Sequence, residues 1–166
     1  MSTASARDSN LSSSETALQA PGASPAKNDD SNVAILGFEN GSLDPAQFNH
    51  RLHLELAWRY LQRDGFPEGA LNFRRQLQSY VAKVGAQSKY HETITWAYLV
   101  LLNEELSLRS PAGESFDDMI QRRPDLLDHR NGPIARCYSK AQLDSAEARR
   151  VFLFPAIAAV TEASSS

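Results

Sequence analysis

Cysteine occurs once in the 166 residues, as Cys137. No disulfide can therefore form within the chain, and a thiolate zinc site would need more sulfur than one chain offers. A reducing, cytoplasmic setting is the expectation. A basic excess is also missing: 17 Lys and Arg stand against 20 Asp and Glu, for a formal net charge of -3. With the two signs evenly mixed, no cationic stripe is available to follow a phosphate backbone, so nucleic acid is not an expected partner. Long apolar runs are absent too, which excludes an expected membrane span. The opening "MSTASARDSN" lacks the apolar segment of a secretory signal and carries too many acids for a transit peptide. The sequons at Asn10 and Asn40 are then expected to stay unmodified, since glycosylation requires secretion.

What is present divides into three stretches. Residues 1–32 are rich in Ser, Ala, Asp and Asn, with Pro21, Gly22 and Pro25, and show neither helix nor strand period. They read as a disordered leader that cannot bury a core. Residues 33–155 read as a single helical domain, long enough to bury a core without a metal or disulfide. Residues 156–166 read as a C-terminal tail. The domain begins with "VAILGF" (33–38), an apolar run stopped by Asn40-Gly41 and expected to lie extended on the core.

A first long helix is expected from Asp44-Pro45-Ala46-Gln47, which has capping-box spacing with proline in the first turn, to about Arg63. "RDGFP" ends it: Gly65 can take a left-handed cap, and Phe66 precedes a proline. From Pro67 a second helix places Ala70, Phe73, Leu77, Tyr80, Val81 and Val84 on one stripe and stops at Gly85. A third, from about Ser88 to Leu106, contains "ITWAYLVLL", apolar almost all round and so expected at the centre. Shorter pieces follow. Ser115 caps a brief helix to Arg123, Pro124 opens a turn, and Asp144 with Glu147 suggests a final helix to about Phe154 before Pro155 breaks it. The expected fold is all-α: three longer helices in an antiparallel bundle closed by short C-terminal helices.

Histidines mark where chemistry would sit. At about 100° per residue, Arg51, Glu55, Arg59 and Gln62 share the solvent side of the first helix, with charge pairs at i,i+4. The opposite arc holds Leu54, Ala57, Tyr60 and Leu61, and both His50 and His53 fall within it. In the third helix, His91, Thr95, Tyr98 and Leu102 share a face by the same spacing. Three inward imidazoles need partners, because burying one unsatisfied costs about 1–3 kcal/mol. Hydrogen bonds within the core, a metal, or a wet cavity would each supply them. His50, His53 and His91 are candidate ligands of a divalent metal, although the H-E-x-x-H pattern is absent. The same three residues, with Tyr98, are candidates for acid–base catalysis. Tyr60, Thr95 and Arg150 are candidates for substrate contact. His129 falls in a polar loop and is expected to be exposed. Cys137 lacks a catalytic-cysteine signature, Arg136 and Arg149 read as solvated or ion-paired, and Trp58 and Trp96 read as packing.

The segments "FNHRLHLELAWRYL", "KYHETITWAYL" and "YSKAQLDSAEARRVFLFP" together resemble a family of small helical bacterial proteins. The resemblance covers roughly residues 45–155. It implies that the histidine-bearing helices and Tyr138-Ser139 belong to one domain, and it carries over no functional residue. Helical bundles of the DinB-like class hold three histidines around a metal; this chain is similar to them in that count, with a different histidine spacing. These readings lead to an expected small enzyme or ligand-binding protein with a histidine- and tyrosine-lined pocket between the first and third helices, taking a small molecule and metal-assisted in one version. The alternative is a helical interaction module whose inward histidines are structural. Oligomeric state is not legible.

Overall fold

Local punctuation sets the long helices. The computed structural model describes residues 25–156, and among them are eight α-helices and no strand. The class is all-α. The elements are α1 (Pro25–Asn40), α2 (His50–Asp64), α3 (Glu68–Lys83), α4 (Glu92–Glu104), α5 (Phe116–Arg122), α6 (Pro133–Cys137), α7 (Lys140–Asp144) and α8 (Ala146–Arg150). None of these helices is long and apolar enough to cross a membrane.

Four boundaries differ from the sequence reading. "VAILGF" is not extended: it forms the later turns of α1, which begins at Pro25 and so takes in the last residues of the expected leader. Residues 1–24 and 157–166 lie outside the described residues. The apolar run was too short to suggest a helix alone, and its polar beginning hid the continuation. Ile35 and Phe38 pack on the core, while Val33 is 68 % exposed. Second, α2 starts at His50 rather than at Asp44. Asp44 accepts the Ala46 N–H (2.9 Å) in a turn, and the cap is Asn49, whose side chain accepts the Leu52 N–H (3.0 Å). An Asx turn and a helix cap use the same side-chain chemistry, which explains the confusion. Third, the last expected helix is two short ones. Ser139 caps α7 and Ser145 caps α8, which ends at Arg150. Fourth, the start of the third expected helix moves from about Ser88 to Glu92, because His91 caps α4 behind the 3-10 turn Gln87–Lys89.

The remaining signals act where they were read. Gly65 takes φ 73° and ends α2, its N–H bonding to the Leu61 carbonyl (2.9 Å). Helix α3 follows at once and packs along α2. The approach is so close that a Cβ at Gly69 would lie 2.4 Å from the Tyr60 carbonyl oxygen, so any larger residue would push the helices apart. Ser115 and Asp118 form a complete capping box on α5.

The core is strongly aromatic at one end. Phe38 from α1 contacts Phe48, Tyr60, Phe73 and Tyr80, with ring centroids 5.4–6.4 Å apart. Beyond α8 the chain lies across α4 as a strap. Buried Thr93 donates to the Val151 carbonyl (2.8 Å) and accepts the Leu153 N–H (3.1 Å), while the Tyr138 hydroxyl donates to the Leu153 carbonyl (2.9 Å). The last turn after α4 is π-helical, Glu105–Arg109, closed by the Ser110 N–H on the Glu105 carbonyl (2.8 Å).

Candidate functional site

The early turns of α2 and α4 and the later turns of α3 leave a cavity of about 280 Å³ between them. His50, His53, His91, Thr95 and Tyr98 all line it. So do Phe48, Leu77, Tyr80, Val81 and Ile94, with Lys89, Tyr90 and His129 from connecting segments. Five of the seven residues singled out in the sequence therefore come together. α3, not anticipated there, forms the third wall.

Tyr60 and Arg150 lie elsewhere. Tyr60 shares the inward arc of α2 with His53 but sits seven residues further on, roughly 10 Å along the axis. Its hydroxyl donates to Glu39 (2.9 Å), and the Arg63 guanidinium covers its ring at 4.5 Å, so it clasps α1 to α2. Arg150 is exposed at the end of α8.

The three inward histidines differ in what their nitrogens do. His91 is the N-cap of α4, with extended backbone, and its Nδ1 accepts the Ile94 N–H (3.2 Å). Since Nδ1 is an acceptor, Nε2 carries the proton, and it donates to the Leu143 carbonyl (2.8 Å). Both nitrogens are engaged by backbone, which leaves neither for a metal or a proton relay. His50 Nε2 donates to the Leu126 carbonyl (2.9 Å). Its ring meets Tyr98 edge-on (5.1 Å between centroids) and lies 4.2 Å from the ring of His129. His53 packs between Phe48 (5.6 Å) and Phe73 (5.3 Å). Neither of its nitrogens has a hydrogen-bond partner among the described residues, and neither is sealed from the cavity. The Tyr98 hydroxyl is in the same condition.

Burial sets the electrostatics. It pushes the His53 imidazole down to about 4, with the neighbouring His50 charge adding to the effect. His50 is lowered in the same way; its Leu126 bond opposes the shift and His129 reinforces it. Tyr98 is pushed up to about 12, chiefly by burial and further by the carboxylates of Asp128 and Asp125. At neutral pH the interior of the cavity therefore presents a neutral imidazole and a neutral phenol, each able to donate and to accept.

A metal does not fit the expected donor set. Among the described residues no three His, Cys, Asp or Glu side chains converge in a way that could hold an ion. The reason lies in His91, whose spacing faces it inward but whose place at a helix start commits it to capping. Cys137 is exposed and lies outside the cavity lining.

Behind the α4 wall, buried Glu92 receives Arg74 (2.6 Å), Tyr90 (2.6 Å) and Trp96 (2.9 Å). Burial alone would raise its carboxyl, but these three donors bring it below the ordinary range. Two cavity residues escaped the sequence reading. His129 is exposed as expected, yet the short 3-10 turn Pro124–Leu127 carries it back against His50. Lys89, in the 3-10 turn Gln87–Lys89, had no periodic signal to place it. No protein-family model matches the chain, and neither a curated protein nor a solved structure does, so the resemblance to small helical bacterial proteins rests on its three segments alone.

Proposed function

We propose that the protein binds a small, mainly apolar molecule in the cavity walled by α2, α3 and α4. The observation that carries this reading is His53: an imidazole packed between two phenyl rings, opening onto a cavity, with no hydrogen-bond partner for either nitrogen among the described residues. A ligand that displaces solvent from the cavity and supplies one hydrogen bond to the imidazole gains about 0.5–1.5 kcal/mol net. Tyr98 offers a second point of attachment. The low affinity of His53 for protons favours binding over catalysis, because a general base works best with a pKa near the operating pH. A cytoplasmic setting accords with the single, exposed Cys137.

A fragment screen on the full-length, untagged protein, read by NMR of the histidine and tyrosine side chains, tests this. Hits should shift His53 and Tyr98 and leave Tyr138 unmoved. A His53→Leu variant should lose about tenfold or more in affinity, the equivalent of one hydrogen bond. If no fragment moves the lining, or if His53→Leu binds equally well, the proposal fails. The competing reading, an interaction module with structural histidines, draws on the doubly bonded His91 and on exposed apolar residues such as Leu108 and Phe154. It predicts an empty screen.

A further inference from the structure

The chemistry of the lining goes beyond size and points to the charge of what is bound. Resting on the binding role just proposed, we infer that the cavity takes a small monocarboxylate with a compact apolar body. Four histidines and Lys89 line the cavity, and among the described residues no Asp or Glu does. The acidic residues around it are engaged by other groups: Glu92 by Arg74, Tyr90 and Trp96, and Asp125 by Arg123 and Arg136. Asp44, beside the lining Pro45, accepts the Ala46 N–H (2.9 Å). Asp128, beside His129, accepts the N–H groups of Arg130 (2.8 Å) and Asn131 (3.0 Å). Lys89, by contrast, has no ion-pair partner among the described residues. Arg149 donates to the carbonyl of Ser88 (3.4 Å), which sets a second cation next to Lys89. Among the lining residues, then, Lys89 is a permanent cation with no carboxylate paired to it.

The interior fits the other half of such a molecule. Phe48, Leu77, Val81 and Ile94 are apolar, and about 280 Å³ lies at the low end of ligand-binding cavities. A ring or branched alkyl group fills that space, and a carboxylate at the rim makes a charge-assisted bond to the exposed Lys89 ammonium. A hydroxyl at the far end of the ligand would reach toward His53.

The test uses three probes with one para-hydroxyphenyl body: para-hydroxyphenylacetate, its isosteric primary amide, and the amine tyramine. Each is titrated into the full-length protein and into Lys89→Gln, with side-chain NMR as readout. The acid should bind about tenfold or more tightly than the amide, and the amine most weakly. Lys89→Gln should erase the preference for acid over amide and leave amide affinity unchanged. Because Lys89 is exposed, folding is not at stake. Equal or tighter binding of the amide or amine overturns the carboxylate inference and leaves the binding role standing. Failure of all three, beside productive hits in the fragment screen, overturns the inference alone; an empty screen removes both.

Discussion

At the C-terminal end of α4, Glu105 is 1 % exposed and meets Arg109 (3.2 Å), Arg122 (2.6 Å) and Arg123. Near its N-terminal end, His53 of α2 is half-buried among aromatic rings and Tyr98 is buried, and among the described residues neither the imidazole nitrogens nor the hydroxyl has a hydrogen-bond partner. Both ends take polar groups out of water. At the first, both oxygens of the carboxylate have guanidinium donors, and Arg122 and Arg123 are themselves tied to Glu114 (2.9 Å) and Asp125 (2.9 Å). Such an array fixes a helix end and has no capacity left for another molecule. At the second, donors and acceptors stand open in a cavity that protein atoms leave unfilled. Saturation of polar groups, rather than their burial or number, is what separates scaffold from candidate site in this fold. His91 shows the distinction within a single residue type: it faces inward like His53 but is saturated like Glu105.

The contrast can be broken by substitution. The largest effect is expected for Glu105→Ala, which leaves three guanidinium groups converging on an apolar gap. A loss of about 3–5 kcal/mol in urea unfolding is expected, with little change in the aromatic NMR signals of the cavity. A loss under 1 kcal/mol would mean that the cluster is not what holds this end.

Acidification should act on the other end. The folded pKa of His53 is about 4 against an ordinary 6.5, so the unfolded chain takes up a proton between those values while the folded one does not. The stability contributed by neutral His53 is complete above pH 6.5 and is lost as pH falls through that window, by roughly 3 kcal/mol in all. Unfolding free energies measured from pH 7 to pH 4 should fall more steeply for the native chain than for His53→Leu. Parallel curves would show that the imidazole is more solvated than its aromatic surroundings suggest. A smaller effect should come from His91. His91→Ala removes the cap of α4 and the tie to Leu143, for about 1–2 kcal/mol. His91→Asn should restore the cap and recover part of that. If His91→Ala instead abolished fragment binding without loss of stability, the division between saturated and open histidines would not hold.

The sequence disclosed these regions unequally. α3 was legible throughout, because Pro67, Gly85 and the apolar stripe between them are local signals acting locally. The inward arc of α2 was also legible, since helical period fixes direction whatever the tertiary contacts are. The start of α2 was not: Asp44 and Asn49 are both competent caps, and only packing of Phe48 between Phe38 and Tyr80 selects the second. Periodicity placed His91 facing inward, but no spacing rule reveals that its nitrogens are spent on Ile94 and Leu143. His129 was out of reach, because its neighbour His50 is distant in sequence and no repeat links a loop to a helix face.

The hydrogen bond between His50 and Leu126 spans 76 residues, and the one between His91 and Leu143 spans 52. Both fix histidines of the cavity lining, and both join α2 or the start of α4 to the last third of the chain. Closing loops of this length costs entropy that local helix formation does not. The α2–α3 pair, joined by a short turn, can form early, while the walls carrying His91 and His129 must wait for the C-terminal segments to arrive. The same order should appear in reverse in hydrogen exchange of the native protein. Amides of Leu126–His129 and of the strap at Val151–Leu153 are expected to open by sub-global fluctuations well before the core of α2 and α3 does. The cavity would then be a late-formed and early-lost element of the fold, and any molecule bound in it would tie the long helices to the C-terminal third of the chain.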